Sequence, residues 1–117
     1  MKLWVHAGRV ALAAFALTTV SAGAAFAQDA KVKRGMEVYT AQKCSLCHSI
    51  AGKGNQKGPL DGVGSKLSAE EIKQWMVNPK EMTEKTKAPR KPMMKAYPNL
   101  PAADLEAIVA YMQSLKK

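Results

Sequence analysis

The five residues Cys44-Ser45-Leu46-Cys47-His48 constrain this 117-residue chain more than any other part of it. Two cysteines two residues apart, with a histidine directly after the second, form the attachment signature of a c-type haem. The spacing has a mechanical basis. Positions i and i+3 of a helical turn share a face, so both thiols reach the two vinyl groups on one porphyrin edge. His48 then projects over the ring and offers a nitrogen to the iron. Other readings of these residues fare worse. A thioredoxin-type redox pair sits at the end of a strand in a βαβ unit, and nothing upstream of Cys44 reads as such a strand. A closed zinc site takes about four ligands. The chain has two cysteines and two histidines, and His6 lies in a segment read below as removed, so a carboxylate would have to be recruited. A Cys44–Cys47 disulfide would be strained across so short a loop.

The beginning of the chain bears on that motif. Lys2, His6 and Arg9 make a basic start, an apolar run extends from Val10 to Val20, and the segment closes on Ala25-Phe26-Ala27 before the polar Gln28-Asp29. This is the pattern of a secretory signal peptide, residues 1–27, cleaved after Ala27. It implies a periplasmic protein with one domain, residues 28–117. The competing reading is an uncleaved anchor. Val10–Ala27 is just long enough to span, but it is rich in Ala, Thr, Ser and Gly and only weakly apolar. No cysteine follows the run, which argues against a lipid anchor, and no stable membrane insertion is expected. Export agrees with the motif, because haem is attached to reduced cysteines outside the cytoplasm in proteins of this kind. A domain this small is marginal on its own core, and a covalently held porphyrin supplies apolar surface to pack around. The haem-free chain is therefore expected to fold poorly. The formal net charge is +9, which loss of Lys2 and Arg9 lowers to +7.

Three helices are expected. The first runs from about Ala30 to Gln42, with Asp29 as N-cap and Val32, Met36 and Tyr39 at helical spacing. Gly35 within it marks close contact with another helix. The second starts at Ser68, which forms a capping box with Glu71, while Leu67 and Ile72 supply a hydrophobic staple; it ends near Val77, because Asn78 precedes Pro79. The third spans about Pro101 to Leu115, with Leu105, Ile108, Val109, Met112 and Leu115 on one face. Between them lie a Gly-rich loop, residues 51–64, and a Lys- and Pro-rich loop, residues 78–99. No strand pattern stands out. After leader removal His48 is the only histidine, so a bis-histidine iron within one chain is excluded. The sixth ligand is then a methionine, a lysine, an amine, a water or nothing. Met36, Met76 and Met112 fall on expected helices, where methionine is usually a core filler. Met82, Met93 and Met94 fall on the long loop.

Taken together these residues resemble the small monohaem class I cytochromes c of bacteria, over nearly the whole of residues 28–117. The resemblance rests on Gly35 and Tyr39 ahead of Cys44, Gly58-Pro59-Leu60 after the haem motif, Trp75 before Asn78-Pro79, Met94-Lys95-Ala96-Tyr97, and a final helix ending in Ala110-Tyr111. It implies an all-α cytochrome c fold, with three main helices and long loops wrapped around one covalently attached haem c. Cys44 and Cys47 would carry the thioethers and His48 would be the proximal iron ligand. It implies that the first and last helices cross near Gly35, with Tyr39 against the Tyr111 region. It also implies that the Pro59 carbonyl accepts the other ring N–H of His48, and that Trp75 fills space beside the porphyrin, within reach of a propionate. The family supplies its distal ligand from a Met-Pro-Ala-Phe or Met-Pro-Ala-Tyr element, which aligns Met94 with that ligand. Lys95 replaces the usual proline, and the preceding Pro92-Met93 offers Met93 as the alternative.

With both axial positions filled, the resemblance implies a soluble one-electron carrier rather than an enzyme, since no open site remains for substrate. Thioether ligation raises the reduction potential relative to two imidazoles. Lys80, Lys85, Lys87, Arg90, Lys91 and Lys95, joined by Lys53 and Lys57, are expected to border the exposed haem edge. They would steer the protein toward an acidic docking surface on a redox partner such as a terminal oxidase, reductase or dehydrogenase. Nucleic acid is disfavoured by export and by the scarcity of aromatics among the basic residues. A monomer is expected. Two other classes compete: a dedicated haem c subunit of a periplasmic dehydrogenase or reductase complex, and a five-coordinate haem enzyme or gas sensor.

Overall fold

Alanine is the best helix former, and four of the six residues from Ala22 to Ala27 are alanine. The computed structural model, which describes residues 22–117, accordingly begins in helix. Helix α1 runs Ala22–Ala41. It is eight residues longer at its start than the expected Ala30, so Asp29 lies inside it and is not an N-cap. The leader assignment for residues 1–27 falls outside the described residues, apart from the exposed first turns of α1. The helix stops where Lys43 enters the left-handed region at φ 56°, and its N–H turns back to the Thr40 carbonyl at 3.1 Å.

A short 3₁₀ turn, Cys44–Leu46, follows. Next comes a small antiparallel hairpin of β1 (Ser49–Ile50) and β2 (Lys53–Gly54), in register Ser49 to Gly54. A four-residue helix, α2, occupies Val63–Lys66. Helix α3, Ala69–Val77, has the expected start: Ser68 Oγ accepts from Glu71 N–H at 3.2 Å, and Glu71 Oε1 accepts from Ser68 N–H at 3.1 Å. Leu67 packs against the buried cluster to which Ile72 belongs, in keeping with a staple.

The expectation of an unbroken loop over 78–99 is corrected. Residues Pro79–Thr86 form helix α4. Lysine and proline disguised it, although each is well placed: Pro79 is at the first helical position, Glu81 in the first turn and Lys85 in the last. Met82 is buried on its inner face. Thr83 and Thr86 turn their hydroxyls onto the carbonyls four residues back, both at 2.7 Å. The irregular segment is thus 87–101. Helix α5, Ala102–Ser114, starts after Pro101 with no side-chain cap, as expected.

Helices α1 and α5 cross at Gly35. A Cβ there would collide with the Ala107 carbonyl and stand 2.6 Å from Tyr111 Cβ, so no larger residue permits this approach. One turn on, Tyr39 and Tyr111 meet edge to face, with centroids 5.9 Å apart and planes at 86°. Buried side chains then form two clusters: Val38, Met76 and Ile108, and Ile72, Val109 and Met112. Arg34 bridges the same crossing to Asp104 at 2.9 Å, but so exposed a pair adds little. No helix among the described residues is long and apolar enough to cross a membrane.

Candidate functional site

The turn that ends α1 places Cys44, Cys47 and His48 on the wall of one cavity of about 580 Å³. Its geometry is set by local hydrogen bonds. Cys47 N–H and His48 N–H both donate to the Cys44 carbonyl, at 3.1 and 2.9 Å. Asn55 braces the turn from outside: its N–H is shared between the Ser45 and His48 carbonyls at 3.0 and 2.9 Å, and its Nδ2 donates to the Leu46 carbonyl at 3.1 Å. Asn55 was not singled out from sequence. Its place beside Gly54 marks a turn, but nothing in the spacing says which carbonyls it answers.

His48 Nδ1 lies 3.0 Å from the Gly58 carbonyl. Because a carbonyl only accepts, the proton is on Nδ1, and Nε2 keeps its lone pair. The expected partner, the Pro59 carbonyl, is corrected to Gly58. Pro59 bridges Ser49 in parallel fashion, with Ser49 N–H donating to Gly58 and Leu60 N–H donating to Ser49. That pairing turns the Gly58 carbonyl toward the His48–Ser49 segment. In extended chain the next carbonyl, that of Pro59, points the other way. Pro59 itself remains on the cavity wall.

Burial pushes the His48 pKa below its ordinary value; the Gly58 hydrogen bond opposes this and the nearby Arg90 charge adds to it. The imidazole is therefore held neutral, the form that binds a metal. Cys44 is pushed up to about 11, chiefly by burial, so it is a thiol at neutral pH. Both cysteines are free. Among the described residues, no group of three or more His, Cys, Asp or Glu is arranged to hold a metal ion, so these donors do not assemble into a closed zinc cage.

The rest of the wall is mainly apolar, with Leu60, Ile72, Met76 and Ile108 among its residues; Lys43, Lys57, Arg90 and Lys95 also line it, and Trp75 borders it half-buried. Both Met93 and Met94 reach the cavity. They differ in support: Met94 is half-buried and packs on the Val38–Met76–Ile108 cluster, whereas Met93 is 47% exposed. Tyr97 N–H fixes this segment to the end of α3 through the Met76 carbonyl at 2.8 Å. Met82 is taken out of the set, because α4 buries it away from the cavity lining.

A helical domain whose helices surround an apolar cavity edged by two thiols and a neutral imidazole is a haem-protein fold. Residues 32–116 match the family model for cytochrome c, and the chain belongs to that family. Membership brings one covalently bound haem c with its iron, and haem-based electron transfer as the general task. The chain is also similar to cytochrome c oxidase subunit 2 of Alkalihalophilus pseudofirmus, 27% identical over 92 residues. That match covers 71% of this chain but only 25% of the relative, so the chain spans about a quarter of the curated protein it matches. No solved structure matches it. The residues present fit the haem: an apolar cavity, two thiols three positions apart on one turn, and one histidine whose Nδ1 is already committed.

Proposed function

We propose that the chain is a soluble one-electron carrier with a closed His48/Met94 haem c, working between redox partners in the periplasm. The observation that carries this reading is that Cys44, Cys47, His48 and Met94 border a single apolar cavity while the Nδ1 of His48 is held by Gly58. The haem supplies the one-electron couple. Cys44 and Cys47 hold it by thioether bonds, and the Gly58 carbonyl fixes the tautomer and orientation of His48 so that Nε2 is the ligating nitrogen. Met94 offers its sulfur from a segment tethered to α3. With both positions taken, no site remains for substrate, and the chain passes electrons instead of catalysing a reaction. Trp75 fills the space beside the macrocycle.

Leader cleavage after Ala27 is compatible with this fold, because residues 23–27 are all exposed and losing them removes nothing from the core. Lys80, Lys85, Lys87, Lys91, Lys95, Lys53 and Lys57 are exposed and form the basic surface that steers toward an acidic partner. Similarity to an oxidase subunit favours one second reading, a haem c domain that serves an oxidase as a dedicated component. Co-purification with a partner from membranes supports that reading; recovery as a free monomer supports the carrier.

The test of the closed site is carbon monoxide. The reduced holoprotein is expected to leave its absorption spectrum unchanged under the gas, and the oxidised form to show the weak near-infrared sulfur-to-iron band. Rapid carbon monoxide binding by the native reduced protein would overturn the proposal in favour of a five-coordinate haem.

A further inference from the structure

Six basic side chains lie between residues 80 and 95, and Lys80, Lys85, Lys87, Lys91 and Lys95 are exposed. Arg90 differs: it is half-buried and borders the cavity. Its guanidinium occupies the space where a side chain on Gly58 would stand. A Cβ there would overlap Nη1 and sit 2.9 Å from Cζ. The same Gly58 carries the carbonyl that receives the His48 Nδ1 proton. Among the described residues, the ion pairs belong to Lys31 and Arg34, and no carboxylate pairs with Arg90. A cation with no carboxylate partner among the described side chains thus rests against the peptide that orients the haem-facing histidine.

We propose that Arg90 sets the reduction potential, as a fixed positive charge beside the His48–Gly58 hydrogen bond that favours the reduced over the oxidised protein. This rests on His48 being the proximal ligand. Two effects act with the same sign. Reduction adds one negative charge to the centre, and a nearby cation in a partly dry site stabilises it. The guanidinium also draws electron density from the Gly58 carbonyl, which makes it a weaker acceptor and His48 a less donating ligand. Glycine is required at position 58 on two counts, since a Cβ would collide with the Cys47 carbonyl as well as with the guanidinium. The couple exchanges one electron, delivered in the test by an electrode through a soluble mediator, with no bond made or broken. Arg90 is a positioning and tuning residue, not a ligand.

The experiment is a potentiometric titration of the wild-type, Arg90→Gln and Arg90→Lys holoproteins, with a thermal melt on each sample. At the potential where wild type is half reduced, Arg90→Gln is expected to be about three- to tenfold more oxidised than reduced. A tenfold change corresponds to about 59 mV for a one-electron couple. Arg90→Lys keeps the charge and is expected to stay within about twofold of wild type. Arg90 sits in a segment with no buried residue, so both variants are expected to fold, and the difference between them reads the charge. Equal midpoints for haem-loaded wild type and Arg90→Gln would overturn the inference. So would equal shifts in both variants that track lost thermal stability, because packing and not charge would then be responsible. A wild-type protein without covalent haem after denaturation would instead sink the carrier reading itself.

Discussion

The α1–α5 crossing and the 87–101 segment both shape the cavity, and they are built in opposite ways. At the crossing, Gly35, Val38, Ala107 and Ile108 are all buried, and the two helices touch backbone to backbone. From residue 87 to 101 no side chain is buried, and the backbone tie to α3 is the Tyr97–Met76 hydrogen bond. The crossing stabilises the fold through contacts within the protein. The segment meets the core only through the half-buried Met94, Tyr97 and Leu100, and its natural packing partner is the haem. Stability and haem ligation are therefore separable by mutation.

The largest expected effect comes from Gly35→Val. The new side chain has no space against Ala107 and Tyr111, and overpacking of this kind costs about 3 kcal/mol. A thermal melt of the holoprotein is expected to drop by roughly 12–24 °C; a drop of a few degrees would show that the crossing can open without cost. Met94→Ala makes the converse test. Because Met94 is only half-buried, its loss is expected to cost less than about 2 kcal/mol and to leave the helical circular dichroism unchanged. The near-infrared sulfur band is nevertheless expected to vanish and the potential to fall, and persistence of the band would transfer the ligand role to Met93.

Smaller effects sharpen the contrast. Ser68→Ala removes the α3 cap and is expected to cost about 1 kcal/mol in denaturant melts, with no change in the haem spectrum. The Ser68 hydrogen bonds hold the Glu71 carboxyl below its ordinary pKa. A carboxylate lowered on folding contributes its stability above the unfolded pKa and loses it as pH falls through the folded one. The stability difference between wild type and Glu71→Gln is therefore expected to shrink on acidification below about pH 4, and a pH-independent difference would break the link. The smallest effect lies on the exposed lysines. Raising ionic strength from about 0.01 to about 0.1 M shortens the Debye length from about 30 to about 10 Å. It is expected to slow second-order electron transfer to an acidic partner, and a rate indifferent to salt would remove docking from the role of this surface.

Local chemistry was legible in the sequence, and long-range geometry largely was not. The Cys44–His48 turn, the Ser68–Glu71 capping box and the apolar face of α5 each follow from spacings within a few residues, and each stands in the structure. The α4 helix was hidden because lysine and proline outweighed a pattern with one buried methionine, Met82. The start of α1 was misplaced because Asp29 looks like a cap, while the alanines before it simply continue the helix. The His48 acceptor moved from Pro59 to Gly58 because carbonyl direction depends on the Ser49–Pro59 bridge, a pairing ten residues apart that periodicity does not report. The seat of Arg90 on Gly58 spans 32 residues, and nothing in either local sequence announces it.

The Asn55 brace also bears on the order in which the molecule is made. It closes over short stretches, nine residues from Asn55 to Leu46, whereas the Arg34–Asp104 pair at the crossing joins residues 70 apart. Loops of about ten residues close in roughly 10–100 ns, and near-neighbour contacts form before distant ones because less chain entropy is lost in making them. The turn that presents the two thiols therefore has its shape early, while α5 is still remote. The two cysteines would thus stand in working order before the two ends of the chain have met.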